Sequence, residues 1–200
     1  MYVYSSLPQK VGLYVKGLYN QNQNPVLLYH NMEHTEFVVQ KTCEIASNYS
    51  FDEKEIFILS AAAWFHDTGQ LFGEPKQHER RSVVIMRDYL ATKITDLKIL
   101  DAIEGCILAT KMPQEPLTLL EQIICDADTF NLGTTGFIYT DNRLKKESQL
   151  RNNIPAVGWD RSTLDILTKH KYFTPYCQAL LNKGKQENIE IVLKRIKQSL

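Results

Sequence analysis

The amino-acid sequence predicts an all-α protein, a single-domain helical bundle, on three observations. Nearly every segment with a clear hydrophobic period has the helical one. Alternating strand-like runs joined by Asn-Gly or Asp-Gly turns are missing. Residues that start and stop helices recur between the periodic stretches. The first helix is expected from about Pro8 to Tyr19, with Pro8 in its opening turn, where a missing N–H costs nothing. Asn20 to Pro25 is a polar break, and a second helix follows from about Leu27 to Tyr49. Ser50 and Glu53 have capping-box spacing, so a third helix should start there and run through Ala61-Ala62-Ala63 to His66-Asp67, where Gly69 can end it. Beyond a loop with Gly73 and Pro75, His78 opens a helix to about Leu90, and another runs from Thr95 or Asp96 to about Thr110. Pro113 and Pro116 separate that helix from the next, whose stripe of Leu117, Leu120, Ile123 and Ile124 leads to Asp126 and Asp128. Thr134-Thr135-Gly136 and Asn152 to Gly158 read as loops around a helix from about Asp141 to Arg151. A helix from Asp160 to His170 comes next, then a last one from Pro175, capped by Thr174. No repeat or low-complexity linker divides the chain. One domain over 1–200 is expected, with a motif-bearing core at about 27–133 and flanking helices at 1–26 and 134–200.

A chain of 200 residues can bury a sizeable core. Lys plus Arg and Asp plus Glu are equal at 23 each, so bulk charge recruits neither nucleic acid nor an anionic membrane. An anionic substrate must therefore be held locally. The opening MYVYSSLPQK lacks a charged stretch followed by a long apolar one, and the run from Ile56 to Phe65 is too short to cross a bilayer. A cytoplasmic protein without a membrane partner is the expectation. Cys43, Cys106, Cys125 and Cys177 stand far apart with no CxxC pair, as reduced core thiols do. Oligomeric state, a homo-oligomer included, is left open.

The chemistry-bearing residues are concentrated in three stretches. In Tyr29-His30-Asn31-Met32-Glu33-His34 two histidines are four residues apart; on a helix that step is about 400°, so both would share an inward face continued by Phe37, Val38 and Ile45. The second stretch is His66-Asp67 and the third holds Asp126 and Asp128. Imidazole nitrogens and carboxylate oxygens together suit Zn, Mn, Fe or Mg. Taken singly, each has a plainer reading: a helical histidine is more often bonded to a carbonyl, and the two aspartates could cap the turn from Thr129 to Gly133. His66-Asp67 could close a helix, but an aspartate at that end opposes the dipole. Together the ordered set favours a metal site. Arg80-Arg81 and Lys145-Lys146 read as solvated faces, and His170-Lys171-Tyr172-Phe173 as packing.

His34, His66-Asp67 and Asp128, in that order, resemble the HD superfamily of metal-dependent phosphohydrolases, whose H…HD…D residues bind a divalent metal inside a helical bundle. YHNMEHTEFV is similar to the YHNxxHxxxV stretch of cyclic-nucleotide phosphodiesterases, AAAWFHDTG to the family's HD step, and IICDADTFNLG to its last-aspartate segment. The likeness covers roughly Tyr29 to Gly133. It implies a helical bundle of the HD type in which His34, His66, Asp67 and Asp128 ligate a divalent metal (Mn, Mg, Zn, Fe, Co or Ni). Asp67 then counts among the catalytic groups as well. The family's alanine-aspartate pattern selects Asp128, while Asp126 could orient a histidine or a water; which of the two ligates stays open. His30 corresponds to the phosphodiesterase histidine that protonates the leaving oxygen. Lys111 could offer a point charge to a phosphate, and His78 could contact phosphate or support a ligand. Some members hold a second metal on two further histidines. His78 matches the first place, but none stands near Ile107-Leu108-Ala109-Thr110-Lys111, so the number of metals stays open. The implied activity is hydrolysis of a phosphomonoester or phosphodiester of a small molecule, a nucleotide first, by metal-activated water. A nucleotide-sensing module without turnover and a di-iron oxygenase are the alternatives.

Overall fold

The computed structural model describes residues 3–152 and 157–198, with the side chains of 3–5 and 152 left aside. Among the described residues there are helices and no strands. They are α1 (Val3–Gln21), α2 (Met32–Ala46), α3 (Glu53–Phe65), α4 (His78–Leu90), α5 (Leu97–Ala109), α6 (Leu119–Asp128), α7 (Phe137–Asn152), α8 (Trp159–Lys169) and α9 (Pro175–Gln198), with short 3₁₀ turns at Thr68–Phe72 and Phe130–Gly133. The all-α expectation holds. None of these helices is long and apolar enough to cross a membrane.

Several boundaries differ from the sequence reading, each for a local reason. Pro8 lies inside α1 instead of in its opening turn. Leu7, Val11, Val15 and Tyr19 are all buried at helical spacing, and that burial outweighs the local cost of the proline. The second helix starts at Met32, five residues later than expected from Leu27, because Asn31 caps it: its side chain accepts the His34 N–H at 3.2 Å. His30 is therefore outside the helix, and His30 and His34 share no helical face. α3 is capped by Asp52, not Ser50, in a full capping box with Glu55. It ends at Phe65, so Gly69 does not terminate it. Gly69 instead lies in the 3₁₀ turn, where an added Cβ would stand 2.1 Å from the His78 carbonyl oxygen. Its role is close approach to α4. Thr118 caps α6, leaving Leu117 outside it and 89% exposed, so that residue is no part of the buried stripe. α7 starts earlier than the Asp141 expected. Thr174 caps α9 as expected, accepting the Cys177 N–H at 3.2 Å. The expected loop from Asn152 to Gly158 falls partly on 153–156, outside the described residues.

α3 is apolar all round, with Phe57, Leu59, Ala61, Ala62, Ala63 and Phe65 buried, and such a helix belongs at a centre. It packs against α1, α2, α5 and α6. Tyr172, Cys177 and Leu181 tie the start of α9 into the same core. A smaller cluster of Phe137, Leu167 and Val192 joins α7, α8 and α9. The central packing brings the first turn of α2, the C-terminal end of α3 and the last residue of α6 to one place.

Candidate metal centre and its cavities

His34 sits in the first turn of α2, His66 caps α3, Asp67 follows it, and Asp128 closes α6. The His66 Nδ1–H donates to the Ala63 carbonyl at 2.8 Å, which leaves the Nε2 lone pair facing inward. That Nε2 is 3.4 Å from His34 Nε2. Asp128 Oδ1 is 3.2 Å from His34 Nε2 and 3.7 Å from His66 Nε2. Asp67 Oδ2 stands 3.5 and 3.4 Å from the same two nitrogens. Four electron-pair donors thus face one point, and a cation or shared protons must hold them together. His34, His66 and Asp128 could hold a metal ion, their ligand atoms lying within 4.8 Å of one another. Burial alone would lower the His66 imidazole, but Asp67 and then Asp128 raise it to about 9. Burial favours the neutral Asp67 acid, yet His66 and His30 hold it well below the carboxylate range. Protons here do what a cation would do.

His30 reaches the same place from the turn before α2. Its Nδ1 is 2.6 Å from Glu147 Oε1, while the backbone N–H groups of Tyr29 and His30 donate to Glu147 Oε2 at 2.7 and 3.0 Å. Burial would raise Glu147, but His30 and those two amides bring it down to about 2. Arg151 donates to Glu147 at 3.3 Å, to Gln70 Oε1 at 2.6 Å and to the Gly73 carbonyl at 2.8 Å. Arg143 pairs with Glu33 at 2.9 Å and donates to the Leu28 carbonyl at 2.5 Å. Glu147 was not singled out by the sequence reading. The available signal was Arg143, Glu147 and Arg151 at four-residue spacing, a pattern that usually marks a solvated helix face.

Asp126 faces elsewhere, and its suggested role in orienting a histidine or water is corrected. Its Oδ1 accepts the Phe173 N–H at 2.8 Å, and its Oδ2 accepts the Thr174 N–H at 2.8 Å and the Thr174 hydroxyl at 2.6 Å. It anchors the start of α9. His78 Nε2 is 3.2 Å from Asp67 Oδ1, with Nδ1 donating to the Pro75 carbonyl at 2.8 Å. Arg81 is no solvated face: it donates to the carbonyls of Gly69, Glu74 and Lys76 and fixes the loop after Asp67. The four cysteines are free; Cys106, Cys125 and Cys177 are buried, whereas Cys43 is exposed. His170 is buried, with Nε2 3.0 Å from the Thr129 hydroxyl and Lys185 Nζ donating to its carbonyl at 2.5 Å. Tyr172 beside it is core packing, as the sequence reading had it.

Two of the cavities that border the cluster meet each other. One, of about 570 Å³, is lined by His30, Asp67, His78 and Asp128, with Lys76, Arg80 and Lys111 at its exposed side. The other, of about 210 Å³, has walls from α7 and α8 and shares His30, Met112 and Asp128 with the first. No family model matches the chain, and neither a curated protein nor a solved structure matches it.

Proposed function

We propose that the protein is a metal-dependent phosphohydrolase of the HD type, cleaving a phosphate ester of a small molecule, a nucleotide first among the candidates. The observation that carries the reading is the convergence of His34, His66, Asp67 and Asp128 on one point, with His30 on the same cavity wall. A divalent ion, when bound, supplies Lewis acidity toward a phosphoryl oxygen and a more acidic water. The two imidazoles and two carboxylates are the groups to hold it. Because Glu147 accepts from Nδ1 of His30, Nε2 is the atom left to give a proton to a leaving oxygen. The same contact fixes the ring so that Nε2 is turned to the cavity. Lys76, Arg80 and Lys111 supply positive charge for the non-bridging oxygens of a phosphate.

The test is metal content of the purified protein together with a screen of nucleotides, other phosphomonoesters and phosphodiesters in the presence of Mn, Mg, Zn, Fe, Co or Ni. Bound divalent metal and metal-dependent release of alcohol or phosphate are expected. Protein that takes up no metal, or a silent screen, would sink the reading. Thermal stabilisation by a nucleotide without turnover would instead point to a sensing module.

A further inference from the structure

The two cavities differ in chemistry while meeting at the same atoms. The larger carries three exposed cationic side chains beside the carboxylates of Asp67, Glu79 and Asp128, and among the described residues none of Lys76, Arg80 and Lys111 is in an ion pair. The smaller is mostly apolar: Phe137, Leu144, Trp159, Ile166 and Met112 line it, and among the described residues His30 is its one basic side chain. Of its two wall carboxylates, Asp128 belongs to the cluster and Asp141 is already satisfied. It accepts from Trp159 Nε1 at 2.8 Å, from the Thr163 hydroxyl at 3.1 Å and from Arg195 at 3.0 Å. That bond also fixes the Trp159 indole in the wall before any ligand arrives. A second anionic group has no partner there, whereas a flat uncharged one does. The volume of about 210 Å³ exceeds the ~150 Å³ cavity that admits benzene, so one aromatic ring system fits.

We infer that the substrate is a phosphate ester with an uncharged aromatic group, of nucleobase type, which packs against Trp159 while the phosphate faces the cationic cavity, and that Trp159 determines this specificity. The inference rests on the phosphohydrolase reading for its turnover test and on geometry alone for its binding test. Sugar phosphates and polyol phosphates leave the apolar cavity unfilled. They are the poor substrates.

Ribose 5-phosphate and the nucleoside 5′-monophosphates carry phosphate on the same ribose hydroxyl and differ at C1′, a hydroxyl in one and the base in the other, so the ratio of their kcat/KM values reports on the base. With metal-loaded protein the nucleotide is expected to be favoured on the order of tenfold or more, the range of base–aromatic stacking. Trp159→Ala should bring that ratio close to one, and Trp159→Phe should restore most of it. Ile166→Trp, at a position 43% exposed and thus tolerant of change, should narrow the cavity and lower the same ratio. Calorimetric binding of the same ligands to the same variants gives a readout that needs no turnover. Base-dependent binding that disappears in Trp159→Ala, with both compounds uncleaved, keeps the aromatic subsite and discards the hydrolase. A wild-type ratio near one, or one unmoved by Trp159→Ala and Ile166→Trp, overturns the inference, as does the absence of any base-dependent binding or turnover.

Discussion

The histidine–aspartate cluster and the His30 wall border the same cavity but are held in place by opposite physics. His34, His66, Asp67 and Asp128 sit at or just beyond the ends of helices that each bury an apolar stripe, with α3 at the centre of the core. Their positions follow from packing, which leaves little freedom to adjust. His30 instead lies in an irregular turn held to α7 by one buried carboxylate, two amides and two arginines. The contrast teaches that one region resists the loss of a polar contact and the other does not. A packed helix end keeps its place when a side chain is trimmed, whereas a turn secured by Glu147 loses register when that carboxylate changes.

The largest effect that would test this contrast is Asp67→Ala. It should cost more metal affinity than the roughly 10–100-fold typical of groups that only orient a ligand, and abolish turnover, while the helical circular dichroism stays. Metal analysis after dialysis checks it; retained metal would remove Asp67 from the ligand set. Next, His30→Ala should keep its metal and lose roughly 10²–10⁴-fold in kcat, the usual worth of a positioned proton donor. An emptied site would make His30 a ligand instead. Smaller again, Glu147→Gln preserves an acceptor for the two amides but weakens the hold on the His30 ring, and kcat should fall about 10–100-fold at constant metal content. An unchanged kcat would mean that His30 is placed by packing like the cluster.

The smallest effect concerns His170, which contacts the residue that caps the C-terminal end of α6. Burial first and Lys185 second lower His170 to about 4, well under its ordinary value near 6.5. Between those values only the unfolded chain takes up the proton, so stability is full above pH 6.5 and is lost as pH falls toward 4. The loss is on the order of 3 kcal/mol at most. Urea unfolding at pH 7 and 4.5 should show a steeper decline for the wild type than for His170→Asn. Equal slopes would place the pH dependence elsewhere.

The same contrast explains what could be read from the chain. Apolar stripes at helical spacing, such as Ile123 and Ile124 before Asp128, announce both helix and buried face, and the cluster residues sit at the ends of such stripes. The helix boundary at His30 was harder, because Leu27 and Leu28 continue an apolar pattern that the Asn31 cap cuts off. Asn31 is itself a cap residue, so the signal was present but outweighed. Glu147 was not legible: it lies 117 residues from His30, on a helix whose face toward the site is charged. Nothing local distinguishes a buried arginine–glutamate face from a solvated one. Asp126 and Asp128 show the limit in small. Two residues apart on one helix they face different sides, and only the position of Thr174 decides which of them is bound to backbone.

His30, Met112 and Asp128 belong to both cavities, and that shared boundary bears on inhibition. Fragments selected separately, an anionic one beside Lys76 and Lys111 and a flat neutral one beside Trp159, would lie on the two sides of Met112. Joining them makes the second contact intramolecular, so the linked compound should bind more tightly than either fragment by a factor set by the linker. The selectivity of the linked compound would come from its neutral half, where α8 supplies the wall.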